Sequence, residues 1–198
     1  DLGPVMRDLG VTRALSGAVP DILVPVLAVL TFLGSPGFLT VATPVGALLA
    51  YRARALSRAD AIRLASVALF AIGGITLVKS LLAVPRPPPA LHRVPESGFG
   101  FPSGHATATT AVLFGTATLA EVSTRRRRLA IATGGVIVIG ATRVLLGVHF
   151  LVDVIAGVAT GLLLLWLGLR LSASSIPVTL GLAASAGLLG TLLSHRIV

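Results

Sequence analysis

The sequence contains no cysteine, and only 12% of its 198 residues carry a charge. The missing thiols exclude a disulfide-stabilised scaffold, cysteine-ligated zinc and thiol catalysis. A soluble domain ordinarily has about 25% charged residues, so a water-soluble globule is disfavoured as well. Hydrophobic residues make up 55% of the chain, and the mean hydropathy is +0.97. These values exclude intrinsic disorder and indicate a single membrane-embedded domain over residues 1–198.

The apolar residues are grouped into windows of the length that membrane helices need. Residues 22–51 contain no charged side chain, and a strong turn signal, Gly34-Ser35-Pro36-Gly37, interrupts them. We therefore predict two short helices there, at 21–34 and 37–51. Five further apolar windows follow at Leu64–Val84, Ala106–Ala120, Leu129–Leu146, Phe150–Leu169 and Ile176–Leu193. None shows the alternation of membrane strands, so the predicted fold is an all-α bundle of six or seven transmembrane helices.

The two ends of the chain differ from these windows. Residues 1–19 mix charged and apolar side chains, which is typical of a helix lying at the membrane interface. Residues 171–198 include the last window, and the seventh transmembrane helix is expected there if that window spans the membrane.

Positive charge outweighs negative charge, with 16 lysines and arginines against 7 aspartates and glutamates. Two groups of arginines stand between apolar windows: Arg52, Arg54, Arg58 and Arg63 in the first, and Arg125 to Arg128 in the second. The positive-inside rule places both groups in the cytoplasm, so loops 81–104 and 147–150 are expected on the extracytoplasmic face. A nucleic-acid patch is the alternative for the second group, but its position between two apolar spans argues against a nucleic-acid partner.

Eight residues with useful chemistry stand at the window ends that this topology places on the extracytoplasmic face. They are Lys79 (the only lysine), Arg86, Ser103, Gly104, His105, Arg143, His149 and Asp153. Ionisable groups at membrane depth mark functional sites, and three cations in one cleft repel one another unless an anion lies between them. Phosphate suits such a cleft, because arginine offers a planar donor fork, lysine a point charge, and a helix start free N–H groups.

The two histidines supply a nucleophile and a proton donor for phosphoryl transfer. His149 and Asp153 are four residues apart on a predicted helix, so they share a face. A carboxylate that holds one ring N–H leaves the other nitrogen free to attack. His105 stands beside the predicted phosphate position, which suits a general acid. From these residues alone the two roles can also be reversed.

Three motifs carry this constellation. The first is K-x-x-x-x-x-x-R-P from Lys79 to Pro87, the second is P-S-G-H from Pro102 to His105, and the third is T-R-x-x-x-x-x-H-x-x-x-D from Thr142 to Asp153. Together, over roughly residues 20–170, they resemble the signature of the type-2 phosphatidic-acid phosphatase family, which also contains the vanadium-dependent haloperoxidases. The family's third motif usually begins with serine, whereas this chain has Thr142.

The resemblance implies a membrane-helical phosphatase that needs neither a metal ion nor another cofactor. It implies that His149 attacks phosphorus to form a phosphohistidine, that Asp153 supports it and that His105 protonates the leaving oxygen. The implied phosphate-binding residues are Lys79, Arg86, Ser103, Gly104 and Arg143. On this basis the chain is expected to hydrolyse a lipid phosphomonoester or a polyprenyl diphosphate at the outer face of the cell membrane.

Several alternatives remain open. A phosphotransferase on the same scaffold would pass the phosphoryl group to an alcohol. The haloperoxidase branch is soluble, which disfavours it for so apolar a chain. A transporter with a phosphate-binding site would be expected to show internal repeats and charges at the membrane midplane, and neither is seen. The expected partners are the lipid bilayer and a lipid substrate, and a homo-oligomer is compatible with the sequence.

Other polar and small residues receive different interpretations. We expect His92, Arg93 and Glu96 to be solvated residues of the outer loop, with contact to the substrate headgroup as the alternative. Gly157 and Gly161 are four residues apart in the sixth window, a spacing that permits close helix packing.

Overall fold

The structure, a computed structural model, describes residues 3–197, which form eight α-helices and no β-strand. The helices are α1 (Gly3–Gly17), α2 (Val24–Leu33), α3 (Pro36–Arg52), α4 (Arg58–Leu82), α5 (Gly104–Leu119), α6 (Arg125–Leu145), α7 (Leu151–Ser174) and α8 (Ile176–Ile197). Single 3-10 turns lie at Asp21–Leu23 and Pro89–Leu91. The prediction of an all-α fold is therefore confirmed.

Hydroxyl side chains start several of these helices. Ser35 Oγ accepts from Phe38 N at 3.2 Å ahead of α3, and Ser57 Oγ accepts from Asp60 N at 3.0 Å ahead of α4. Thr124 Oγ1 accepts from Arg127 N at 3.4 Å ahead of α6. Each contact satisfies an N–H group that has no partner inside its own helix. Arg125 to Arg128 consequently form the first turn of α6, whereas the sequence analysis assigned them to the preceding loop.

Helix α5 occupies the centre of the bundle. Most of its side chains are small, and ten of its residues are buried. Ala111 packs with Val67 and Ala71 of α4 and with Leu164 and Leu165 of α7. The small side chains of α5 allow three neighbours, α4, α6 and α7, to approach it closely.

Two glycines set the distance between α5 and α7. A Cβ atom added to Gly157 would lie 2.6 Å from Ser103 O, and one added to Gly161 would lie 2.7 Å from Thr107 O. The helices therefore meet backbone to backbone, as the spacing of these glycines predicted. This approach holds the start of α5 against the first turns of α7.

Large apolar side chains face outward from the bundle. Val29 of α2, Val41 of α3, Ile137 of α6 and Ile155 of α7 are each more than 60% exposed. Large apolar side chains exposed on four different helices are unusual for a soluble monomer but normal for helices that face lipid.

Length and composition identify membrane-spanning candidates among the described residues. Arg58–Leu82, Arg125–Leu145 and Leu151–Ala173 are each long and apolar enough to cross a membrane. A fourth candidate is the pair Asp8–Gly17 and Asp21–Leu33, which meet at 92°. The other helices in this part of the chain are shorter or less apolar, so the finding supports three or four spans directly.

Candidate active site

The site lies at one end of the bundle, which we call the site end. It is formed by the C-terminal ends of α4 and α6, the N-terminal ends of α5 and α7, and loops 83–103 and 146–150. Lys79 and Arg143 occupy the last turns of α4 and α6, and Asp153 the first turn of α7. The arginine-rich starts of α4 and α6 lie at the opposite end, which we call the arginine end.

Residues from the first two motifs line one cavity. Its volume is about 250 Å³, and its wall includes Lys79, Arg86, Gly104 and His105. A Cβ atom on Gly104 would lie 3.9 Å from Lys79 Nζ, so the lysine points at the start of α5. The cavity thus joins a lysine, an arginine and the N-terminal end of a helix, all of which favour an anion.

Ser103 connects the second motif to the third. It is fully buried, its N–H donates to Asp153 O at 2.9 Å, and its Oγ accepts from Ala106 N at 3.5 Å. The Ser103 hydroxyl therefore caps α5, while its backbone is fixed to the first turn of α7.

His149 and Asp153 form a buried pair. His149 Nδ1 lies 3.2 Å from Asp153 Oδ2, which also accepts from Phe150 N at 2.9 Å. On the other side of the ring, Arg86 Nη1 lies 2.9 Å from His149 Nε2. Arginine can only donate, so Nε2 carries the lone pair and the ring proton lies on Nδ1. Burial and the neighbouring cations, Arg86 first, hold the pKa of His149 well below its ordinary value, which keeps the ring neutral.

Arg86 is held in place by backbone carbonyls. Its Nε donates to Ser97 O at 3.1 Å and Gly98 O at 3.0 Å, and its Nη1 also donates to Val148 O at 3.0 Å. Gly98 has a φ of 70°, a conformation that glycine adopts without strain, and this turn directs the carbonyls toward the guanidinium.

Arg143 is almost completely buried, at 1% exposure. Its Nη1 donates to Thr31 Oγ1 of α2 at 3.0 Å, and its Nη2 forms an ion pair with Glu96. Its Nε is buried and has no hydrogen-bond partner. A buried donor without a partner is rare, and here it leaves an arginine able to bind one more acceptor.

The sequence analysis left Glu96 out of the predicted site set and expected a solvated side chain, whereas the structure pairs it with two site arginines. Glu96 is the only acidic residue of loop 83–103, and it pairs with Arg143 and with Arg86, whose Nη2 lies 3.4 Å from Oε1. Burial raises the pKa of Glu96, but the charge of Arg143 and its hydrogen bond outweigh burial and hold this pKa below its ordinary value. The sequence did contain a signal for this contact, because Glu96 is the only carboxylate in a loop that also carries Arg86.

The two other loop residues that were expected to be solvated, His92 and Arg93, are half-buried and hydrogen-bonded as well. Arg93 donates to Ser16 O at 2.8 Å and Val19 O at 3.0 Å and pairs with Asp21, so it fastens the loop to the N-terminal helices. His92 Nε2 lies 3.0 Å from Pro87 O, within the loop itself.

Helix α1 also reaches the site end. Asp8 Oδ1 accepts from Leu151 N at 3.1 Å, and Asp8 Oδ2 lies 3.3 Å from Val152 N. An acidic side chain at a helix N-terminus is stabilising, so α1 caps the helix that carries Asp153. Among the described residues, no group of three or more histidine, cysteine, aspartate or glutamate side chains is placed to hold a metal ion.

The structure thus brings together all eight residues of the predicted set. Lys79, Arg86, Gly104 and His105 line the cavity, while Ser103, Arg143, His149 and Asp153 lie buried behind or beside it.

Comparisons with known proteins identify the family. The PAP2 superfamily matches residues 60–176, which is more than half of the chain. Phosphatidylglycerophosphatase B of Bacillus subtilis (strain 168) is 39% identical over 80 residues, a match that spans 37% of this chain and 39% of that protein. The chain is therefore aligned to less than half the length of this relative.

Two solved structures share the fold. A transmembrane PAP2-type phosphatidylglycerolphosphate phosphatase from Bacillus subtilis has a TM-score of 0.69 at 25% identity, over 87% of this chain and 88% of that one. Aquifex aeolicus LpxE has a TM-score of 0.65 at 20% identity, over 82% of this chain and 94% of that one. The resemblance inferred from the three motifs is confirmed, and the chain is a membrane protein that belongs to the PAP2 superfamily.

Proposed function

We propose that this chain is an integral-membrane lipid phosphatase that hydrolyses a lipid phosphomonoester or a polyprenyl diphosphate. The observation that carries the proposal is the pair of His149 and Asp153, which lie 3.2 Å apart, with Arg86 Nη1 2.9 Å from His149 Nε2. In this pair the imidazole of His149 is neutral and carries its proton on Nδ1, so Nε2 has the lone pair that a nucleophile needs. The names of the relatives, phosphatidylglycerophosphatase among them, favour a glycerophospholipid monoester as one substrate.

The reaction has two steps. First, His149 Nε2 attacks phosphorus, a P–N bond forms, and the P–O bond to the lipid breaks while His105 gives a proton to the leaving oxygen. Second, water attacks the phosphohistidine and gives a proton to His105, the P–N bond breaks, and inorganic phosphate leaves. Lys79, Arg86 and Arg143 supply the positive charge that stabilises the phosphoryl oxygens, which is why no metal ion is required.

The placement of the site favours a lipid substrate. Residues at the ends of membrane helices meet a headgroup at the interface while its chains stay in the bilayer. We propose that six or seven helices cross the cell membrane and that the site end faces the extracytoplasmic side, because the arginine end satisfies the positive-inside rule. A homo-oligomer stays a prediction from the sequence.

Phosphate release from defined lipids tests this function. The protein is purified in detergent and incubated with EDTA and phosphatidylglycerophosphate, phosphatidic acid or a polyprenyl diphosphate, and free phosphate is measured. We expect release that survives the chelator, a loss of at least about a hundredfold in His149→Ala, and full activity in the control His195→Ala, which lies outside the three motifs. Magnesium-dependent release would contradict the mechanism.

Two further readouts separate the alternatives. Acid-labile, alkali-stable label on the protein after a quench with ³²P-substrate is expected if the phosphohistidine forms. Release of phosphate from a lipid with water as the sole acceptor identifies a hydrolase, whereas label transfer only after addition of an alcohol would identify a phosphotransferase.

A further inference from the structure

Glu96 occupies the place of an anion between two site arginines. Its Oε1 lies 3.4 Å from Arg86 Nη2, and its Oε2 pairs with Arg143 Nη2. Both donors belong to residues that the proposed function assigns to phosphate. The carboxylate therefore takes hydrogen bonds that a phosphate oxygen would need, so the two anions compete for the same groups.

The carboxylate does not satisfy the whole set of donors. Arg143 Nε stays buried without a partner, and the Lys79 ammonium group makes no hydrogen bond to the described residues. A carboxylate has two oxygens and one negative charge, whereas a phosphomonoester dianion offers three oxygens and two charges. The site is therefore better matched to the larger anion than to Glu96.

The same contacts close the site around His149. Arg86 donates through Nη1 to His149 Nε2 at 2.9 Å while its Nη2 faces Glu96. The lone pair that the proposed attack requires is thus occupied, and His149 has no exposed surface. An anion that draws Arg86 away from Nε2 occupies the phosphate site and at the same time frees the lone pair of the nucleophile.

Little holds Glu96 in place besides the arginines. Its neighbours Pro95, Ser97 and Gly98 are exposed, so the carboxylate can swing away from the site without disturbing buried side chains.

We propose that Glu96 is a specificity-determining residue: an internal anion that the substrate phosphate must displace from Arg86 and Arg143. This inference rests on the proposed function, because it uses the same phosphate site. Displacement favours dianionic monoesters and diphosphates, which offer more charge and more acceptors than the carboxylate. The monoanionic phosphodiesters that make up most membrane phospholipids offer no such gain, so Glu96 keeps them out of the site.

Removing the carboxylate charge tests the inference. Glu96→Gln is compared with wild type and with the matched control Glu121→Gln, which removes an exposed carboxylate between α5 and α6 at the arginine end. Binding of inorganic phosphate and of dimethyl phosphate, a monoanionic diester, is measured directly by calorimetry at pH 8 in detergent.

We expect Glu96→Gln to bind inorganic phosphate about tenfold more tightly, because a binding-competent state that is populated only about one-tenth of the time weakens the apparent affinity by about that factor. Dimethyl phosphate should bind measurably to the variant and not to wild type or to Glu121→Gln. With a lipid phosphomonoester, KM should fall by about the same factor while kcat stays within about twofold, since the bound substrate has already displaced the carboxylate.

A raised KM with a lower kcat would overturn the inference, because it would show that Glu96 instead positions the two arginines. Unchanged binding of both anions would overturn it as well. If Glu96→Gln loses its helical circular dichroism, Glu96→Ala gives the same test. The binding measurements need no turnover, so a wild-type protein that binds phosphate but releases none from lipids would defeat the proposed function alone.

Discussion

The two histidines of the site have different surroundings. His149 is fully buried against Asp153, whereas His105 is partly exposed at the cavity wall. A group at the wall can reach a leaving oxygen, which supports the proposed role of His105 as general acid. Because protonation matters most for a poor leaving group, His105→Ala should slow hydrolysis of an alkyl phosphate lipid by at least about a hundredfold and that of p-nitrophenyl phosphate by less than about tenfold.

His149→Ala is the control for this comparison, because a nucleophile is needed whichever group leaves. It should abolish hydrolysis of both substrates, and kcat for each substrate is the quantity to compare. Equal losses for both substrates in His105→Ala would contradict the acid role.

The protonation of His149 gives a second prediction. Its pKa is held well below the ordinary value by burial and by the adjacent cations, so the ring should remain neutral as the pH falls through about 6.5. Nitrogen-15 NMR of histidine-labelled protein in detergent should show a neutral ring with the proton on Nδ1 at about pH 6.5, the ordinary pKa of histidine. Protonation, and with it loss of the nucleophile, should occur only at a pH well below that ordinary value.

Arg86→Gln provides the control for the titration. Removing the nearest cation relieves repulsion of the charged ring, so the pKa of His149 should rise toward its ordinary value. A wild-type ring that is already protonated at about pH 6 would contradict this account.

Residue types and spacings predicted which residues meet at the site and the contact of His149 with Asp153, but not the contacts of Glu96. Motif positions such as Lys79 and Arg143 follow from the motif spacing and from the ends of apolar windows. Glu96 depends on the path of loop 83–103, which the positive φ of Gly98 and carbonyl contacts to Arg86 determine. Neither feature leaves a periodic pattern in the sequence.

At the scale of elements, the contact between α5 and α7 positions the site. A Cβ atom at position 157 would lie 2.6 Å from Ser103 O. Ser103 belongs to the second motif, and its N–H donates to Asp153 O. Gly157→Ala should therefore lower stability by about 1–3 kcal/mol through overpacking and reduce kcat. Thermal unfolding in detergent and phosphate release measure the two effects.

Gly134→Ala is the matched control, because nothing lies within 4 Å of a Cβ atom at that position of α6. Alanine should stabilise an open helical position by about 0.5–1 kcal/mol and leave activity unchanged. A tolerated Gly157→Ala would show that the two helices can separate without affecting the site.

The predicted windows match helices α2 to α8 closely, because long apolar runs and the Gly34–Gly37 turn signal are local properties of the sequence. Helix ends were less predictable. The arginine run at 125–128 was assigned to a loop, yet Thr124 caps it into α6. The bond from Asp8 to the start of α7 joins residues more than 140 positions apart, so no local pattern could reveal it.

At the scale of the whole molecule, the chain has two chemically different ends. The arginines of the α3–α4 and α5–α6 connections lie at one end, and the site lies at the other. This polarity follows from the sequence because successive membrane helices alternate in direction. The number of spans does not follow in the same way, since α2, α3 and α5 are short and their depth depends on how they pack against longer neighbours.

This polarity leads to a prediction about orientation. The test is direct because the sequence contains no cysteine, so an introduced cysteine is the single site of labelling. Ala90 is exposed in the loop at the site end, and Val122 is 65% exposed in the α5–α6 connection at the arginine end. In spheroplasts of an expressing bacterium, a membrane-impermeant maleimide should label Ala90→Cys immediately and Val122→Cys only after lysis, since arginine-rich loops stay in the cytoplasm. The unsubstituted chain controls for background, and phosphate release confirms that each variant is folded. The reverse labelling pattern would place the site in the cytoplasm, where the proposed extracytoplasmic headgroups could not reach it.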